Sequence, residues 1–359
     1  MDLELTEDQR ELRAVAKQML DDVAPLRVAR AFLDGEGDVG PVSTALAELG
    51  WYGVGTDDDP FGVPGLCLLA EQCGAHAAPT LLVDTAVAVR LARAVEDPAP
   101  LVARIAAGEV ATALAVQEDG HASEAVSGVL EAHKVGVQHG ASADAFAVLA
   151  DRDGAPGVFF VAADVLGVST VAVPGLDPAS APATVIIAGV PIERGCSLVG
   201  DDARIALDSA FAVGAVATAA EGAGAASAAL DLAVAYAKER EQFGRPIGQF
   251  QALQHVMAQA HVDREATWSS ILYAAAALEE NLPEGAEATS IAKAQAARGT
   301  RSVIEAALQV LGGIAFTWEH DVHLLQRRVL TCERRFGDAI EHERALGERL
   351  AERALEAVA

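Results

Sequence analysis

Apolar and polar positions repeat with two different periods along this chain, and the period changes twice. Up to about residue 110 the repeat is helical. Thr6-Glu-Asp-Gln9 reads as a capping box, in which the Thr hydroxyl and the Gln side chain satisfy free backbone N–H groups. Leu12, Val15, Ala16, Met19 and Leu20 then follow at helical spacing. A loop rich in Gly, Pro and Asp runs from about Gly53 to Gly65 and leads into a helix around residues 66–73. Pro79 is placed to open the next helix, which continues through residues 86–95.

From about Thr112 short β-branched runs replace the helical pattern, at 113–116, 146–149, 158–161, 168–173 and 184–187. Asp153-Gly154, Pro156-Gly157 and Pro174-Gly175 supply turn signals. This predicts a small all-β unit, most simply an antiparallel barrel or sandwich. From about Arg204 the period is helical again. Three helices cover 206–238, 250–279 and 288–311, and a fourth begins near His320. The breaks fall at Gly244–Pro246, Asn281–Pro283 and Gly312-Gly313, and four helices joined so closely read as a bundle. The expected fold is therefore mostly α with a central β domain. Its domains are an N-terminal helical domain over 1–111, a β domain over 112–203 and a four-helix bundle over 204–359. Ala215, Ala219, Gly222 and Ala226 line the first bundle helix, and small residues there suit close helix approach in an oligomer core.

The length of 359 residues fits two or three packed units, and 52% hydrophobic residues exclude a disordered chain. The formal charge of −26 makes nucleic acid and anionic membrane poor partners. Cys67, Cys73, Cys196 and Cys332 form no C-x-x-C pair, which fits a reducing compartment. The acidic start is no signal peptide, and no apolar run reads as a membrane span, so the expected location is cytoplasmic.

The most informative segment is Arg240-Glu-Gln-Phe-Gly-Arg-Pro-Ile-Gly-Gln-Phe-Gln251. An arginine at a helix end presents a planar cationic fork suited to a pyrophosphate. Phe243 offers a ring to a nucleotide and Gln251 a hydrogen bond. On these residues alone, a charged helix C-terminus followed by an ordinary turn is the better reading, since a helix C-terminus favours cations in any case. The segment closely resembles, however, the flavin-contacting signature of the acyl-CoA dehydrogenase family. Gln309-Val-Leu-Gly-Gly-Ile-Ala-Phe-Thr-Trp-Glu-His320 is similar to that family's Gln-x-x-Gly-Gly-x-Gly segment, with Ala315 at the last glycine. The helical–β–helical order matches too, so the resemblance covers nearly the whole chain.

The resemblance implies a tetramer, a dimer of dimers, with FAD at a subunit interface. Arg240, Phe243 and Gln251 would meet the adenosine-pyrophosphate end of a flavin held mainly by the neighbouring subunit, and Gln309, Gly312 and Gly313 would line the same end. It further implies α,β-dehydrogenation of an acyl-CoA thioester, with a carboxylate taking the α-proton, and an electron-transfer flavoprotein as acceptor. The ring end departs from the family pattern. A Thr-Glu-Pro-like strand end is matched by Gln117-Glu118-Asp119, and a Trp-Ile-Thr-like strand by Gly136-Val137-Gln138, without the large ring or the hydroxyl. The Gly/Ser-rich loop is weak at His121-Ala-Ser-Glu-Ala.

The two usual base positions are also altered. One, in a loop after the fourth bundle helix, falls on Phe336 or Gly337 within Arg335-Phe-Gly-Asp338. The other, 26 residues before Arg240, falls on Gly214. Asp338 and Glu221 are the substitute candidates. Asp338 otherwise reads as a helix N-cap. Glu221, the only ionisable residue between Asp208 and Asp231, otherwise reads as a buried polar contact. Glu118-x-x-His121 imitates half of a di-iron motif but lies in the β region without a second copy, so no metal is expected. Arg327, Arg328, Arg334 and Arg335 read as a salt-bridged face or a cationic patch, and His320 and His323 as solvated or capping.

One cofactor half-site kept, the other eroded and the base missing are together explained by a subunit of a heteromeric enzyme. The pattern resembles the α2β2 acyl-CoA dehydrogenases that act on sterol side chains, a branch to which Phe316-Thr-Trp-Glu-His320 is also similar. The alternatives are a self-sufficient homotetramer, a monooxygenase or oxidase on the same fold, and a non-enzymatic interaction protein.

Overall fold

The computed structural model describes residues 3–56 and 59–356. Six helices come first: α1 (Glu7–Val23), α2 (Leu26–Ala31), α3 (Gly40–Glu48), α4 (Gly62–Ala75), α5 (Leu82–Arg93) and α6 (Pro100–Ala106). Eight strands follow: β1 (Thr112–Ala115), β2 (Glu124–Val126), β3 (Val129–Val137), β4 (Ala145–Arg152), β5 (Ala155–Ala162), β6 (Val168–Ala172), β7 (Ala183–Pro191) and β8 (Ser197–Val199). The long α7 (Asp201–Glu239) leads into a hairpin of β9 (Glu241–Gln242) and β10 (Arg245–Pro246). Then come α8 (Gln251–Glu279), α9 (Gly285–Leu311), α10 (Val322–Arg334) and α11 (Ala339–Glu356). The chain divides into two compact units, and the boundary falls inside α7 between Gly214 and Ala215.

The first unit comprises Met1–Arg30, Val63–Ala78 and Ala215–Ala359. The predicted capping box starts α1: Gln9 N–H donates to Thr6 Oγ1 at 3.2 Å, and Thr6 N–H to Gln9 Oε1 at 3.0 Å. Helix α4 begins at Gly62, inside the expected loop, because Pro64 is tolerated in a first turn. Of that loop, Asp57 and Asp58 lie outside the described residues. Helices α8 and α9 run antiparallel. Ser302 donates to Asp263 at 2.6 Å, and a Cβ on Gly299 would fall 2.0 Å from Thr267 Oγ1. Helices α4 and α7 touch backbone to backbone. A Cβ on Gly74 would lie 1.8 Å from Glu221 O, and one on Gly224 1.8 Å from Glu71 O. Ala215, Ala219, Gly222 and Ala226 are buried within the chain itself, so its own helices take up the small-residue stripe. Helix α7 is long and apolar enough to cross a membrane, but 56% of its apolar window is buried inside the protein.

The second unit comprises Ala31–Gly62 and Pro79–Gly214. Helix α5 starts three residues after Pro79, where Thr80 Oγ1 accepts the Leu82 N–H at 3.0 Å. Its eight-stranded sheet has the order β6-β7-β3-β2-β4-β5-β8, with β1 added beside β4. All five expected strands form. The pairing is mostly antiparallel, but β1 and β2 both run parallel to β4, which makes the sheet mixed. The longest unforeseen strand is β3, whose buried positions alternate with exposed ones. Its Lys134 is 1% exposed and bonds Glu118 Oε1 at 2.7 Å and Val116 O at 3.2 Å.

Candidate functional site

The residues singled out around Arg240 sit at helix ends. Helix α7 closes with the Arg240 N–H donating to Tyr236 O at 2.8 Å, and the Ile247 N–H returns to Arg240 O at 2.8 Å. Between them Phe243 and Gly244 have φ of +55° and +79° and join β9 to β10 as a two-residue hairpin loop. Two successive positive φ values match the right-handed twist of such a ribbon. A phenylalanine pays about 1–2 kcal/mol for that conformation. The residue is 92% exposed and its ring pairs edge-to-face with Phe250, centroids 6.1 Å apart, while Arg245 lies over the Phe250 ring at 4.2 Å. The hairpin thus holds an aromatic ring outward at a conformational cost. Replacing Phe243 with Gly is expected to leave the melting temperature unchanged or higher, by up to about 1 kcal/mol of stability, while weakening ligand binding at this surface. A fall in melting temperature would place the ring in the fold instead.

Gln251 is the exposed first residue of α8, and Gln309 is exposed on the last turn of α9. Gly312 ends α9 with φ +65° and ψ −138°, a conformation L side chains avoid. No atom lies within 4 Å of where a Cβ would stand on Gly312 or Gly313. That surface is open to an approaching group, and bare backbone amides suit an anion. Because α8 and α9 are antiparallel and a short hairpin joins α7 to α8, all six residues fall at one end of the helical unit. Ala315, in contrast, is buried.

Both candidate carboxylates have structural partners. Asp338 caps α11, its Oδ1 accepting the Ile340 and Glu341 N–H groups at 2.9 and 3.0 Å, while Asp338 N–H donates to Glu341 Oε2 at 2.9 Å. The Glu341 N–H beside it holds the Asp338 carboxyl below its ordinary range, which makes it a weaker proton acceptor. Glu221 is buried and accepts from Arg328 Nη1 at 2.8 Å, with Arg335 Nη1 at 3.5 Å. Arg328, buried as well, also donates to Ala78 O and Ala77 O at 3.0 and 3.1 Å. Two members of the arginine cluster therefore point into the core rather than forming a surface face. His342 of α11 reaches the loop that follows α10: its Nε2 lies 2.9 Å from Phe336 O, and a Cβ on Gly337 (φ +94°) would lie 2.9 Å from that same Nε2. Gly214 is buried. His320 caps α10 through its Nδ1 and the Val322 N–H at 3.1 Å, whereas His323 stacks on Trp318.

Residues 204–355 match the acyl-CoA dehydrogenase C-terminal domain. The chain is 33% identical over 305 residues to the acyl-CoA dehydrogenase FadE34 of Mycobacterium tuberculosis, covering 80% of this chain and 39% of that protein. It is 40% identical over 149 residues to the acyl-CoA dehydrogenase IpdE2 of Mycolicibacterium smegmatis, covering 41% of this chain and 44% of that protein. The solved Tcur3481–Tcur3483 steroid ACAD superposes with a TM-score of 0.82 at 28% identity, over 97% of this chain and 99% of that chain. The chain belongs to the acyl-CoA dehydrogenase family. It spans about two fifths of the length of the curated relatives it matches.

Within the acyl-CoA dehydrogenase fold, the two stretches expected at the flavin-ring end do come together: Val135 N–H donates to Gln117 O at 2.9 Å, and Gly136 (φ +64°) faces the Gln117 side chain. What fills the corner is an ion pair. Lys134 draws the Glu118 carboxyl below its usual range, and burial lowers the Lys134 ammonium. Sequence reasoning missed Lys134 because the strand that carries it, β3, was itself unrecognised.

Proposed function

We propose that this chain is one subunit of a heteromeric, FAD-dependent acyl-CoA dehydrogenase acting on a bulky, steroid-type acyl-CoA in the cytoplasm. The observation that carries this reading is the contrast between the two halves of the site. Six cofactor positions are presented at one end of the helical unit, while Asp338 and Glu221 are both committed to structural contacts. The names of FadE34, IpdE2 and the Tcur3481–Tcur3483 steroid ACAD support the activity, the substrate class and a second acyl-CoA dehydrogenase-like subunit. The three-part division at 1–111, 112–203 and 204–359 belongs to the same reading.

The open surface at Gly312 and Gly313 and the exposed Arg240 suit the pyrophosphate of FAD. Arg240 would bind it as a planar cation, Phe243 would cover the adenosine, and Gln251 and Gln309 would orient it by hydrogen bonds. When bound, the flavin supplies the hydride acceptor for the β-hydrogen of the thioester. The partner subunit supplies the ring contacts and the carboxylate that removes the α-proton, and an electron-transfer flavoprotein takes the electrons onward.

The test uses the complex reconstituted with the partner subunit and an acyl-CoA. Arg240→Ala is expected to lower retained flavin at least tenfold. Asp338→Asn is expected to leave turnover unchanged, since Asn caps a helix as well as Asp. Loss of turnover in Asp338→Asn at unchanged melting temperature would place the base in this chain and favour the self-sufficient homotetramer.

A further inference from the structure

The turn that departs most from the family pattern is organised by a side-chain cluster. After β1 the chain passes through Asp119 and His121, and the adjacent β3 brings His133 to the same place. Asp119 bridges the two imidazoles: His121 Nδ1 lies 2.8 Å from its Oδ1, and His133 Nδ1 lies 3.1 Å from its Oδ2. One ligand atom from each of the three lies within 4.8 Å of the other two. The rings are tilted by 54° with centroids 5.4 Å apart, so they converge without stacking.

We propose that Asp119, His121 and His133 form a binding site for a borderline divalent transition-metal ion, Zn2+ being the representative case. Three features point there. The donor set of two imidazoles and one carboxylate is the one such ions prefer, whereas Mg2+ and Ca2+ select oxygen. His133 Nδ1 is shielded from solvent and close to Asp119, yet it makes no aligned hydrogen bond. It is thus a buried ring nitrogen with no hydrogen bond, within 4.8 Å of the other two ligand atoms. The net charge of −26 also raises the local concentration of cations. Glu118, which suggested the di-iron half-motif, takes no part, because Lys134 and the Ser123 N–H hold it. Sequence spacing could not disclose the set, since His133 arrives across an unforeseen strand pairing. The solvent-facing side of His121 leaves coordination positions for water, and the ion would fasten the turn at 119–123 to β3.

The test needs no flavin and uses the whole chain with Zn2+ alone. Isothermal titration is expected to show one tight Zn2+ per chain. His133→Ala, His121→Ala and Asp119→Asn are each expected to weaken it tenfold or more, while His255→Ala/His261→Ala leaves it unchanged. Zn2+ should also raise the melting temperature of the wild type and of the His255/His261 control, but not of the three site variants. Absence of binding, binding unchanged in His133→Ala, or equal affinity for Mg2+ would each overturn the proposal.

Discussion

Glu221→Gln is expected to cost about 3–5 kcal/mol of stability, because it removes the carboxylate that pairs with the buried Arg328 guanidinium. The surroundings offer it little water. Burial pushes the Cys73 thiol up to about 12, with the Glu221 carboxylate nearby as a second cause, and the Cys332 thiol rises for the same reason. The carbonyls of Ala77 and Ala78 still accept from Arg328 in the variant, yet they carry no counter-charge. Replacing both partners, as in Glu221→Gln with Arg328→Met, is expected to recover most of the loss, since a buried pair is worth little more than apolar packing of the same shape. Denaturant midpoints of the three proteins decide the matter. A single variant as stable as the wild type would mean that Glu221 is not held by Arg328, and would return it to consideration as a base.

Gly224→Ala should be the most damaging methyl added to the helical unit. The new Cβ would stand 1.8 Å from the carbonyl oxygen of Glu71, and a backbone atom cannot rotate away as a side chain can. Overpacking typically costs about 1–3 kcal/mol, and this contact belongs at or beyond the upper end. Gly74→Ala, which meets Glu221 O across the same crossing, should behave alike. The contrast is Gly347→Ala on α11, where nothing lies within 4 Å and the gain in helix propensity is about 1 kcal/mol. One chemical change thus has opposite signs in different helices, read directly from melting temperatures. Equal effects at 224 and 347 would show that α4 and α7 do not touch as described.

Much of the architecture was legible because it is local. The capping box at Thr6 and Gln9, the breaks at Gly312 and the Asn281–Pro283 turn, and the runs that became β4, β5 and β7 each declare themselves within a few residues. The parts that were not legible depend on partners distant in sequence. Strand β3 was hidden because Glu131, His133 and Lys134 interrupt its apolar positions, and Lys134 is accommodated only by the carboxylate of Glu118. Arg328 reads as a surface charge until Glu221, on another helix, is seen to neutralise it. The small residues of α7 suggested an oligomer core, but helices of the same chain already cover them. At the candidate site the motif residues were visible, and their placement at one end of the helical unit follows from the antiparallel path of α8 and α9. Asp338 was legible as a helix N-cap and Glu221 as a buried polar contact, but that Arg328 is the partner of Glu221 was not.

The most direct test of the shared site is the visible absorbance of this chain purified alone, and again after co-expression with its proposed acyl-CoA dehydrogenase-like partner. The expected result is a colourless chain that becomes a yellow complex, bleached on addition of an acyl-CoA. A chain that is yellow by itself and bleached by the substrate would contradict it, placing a complete flavin site and its base within this subunit.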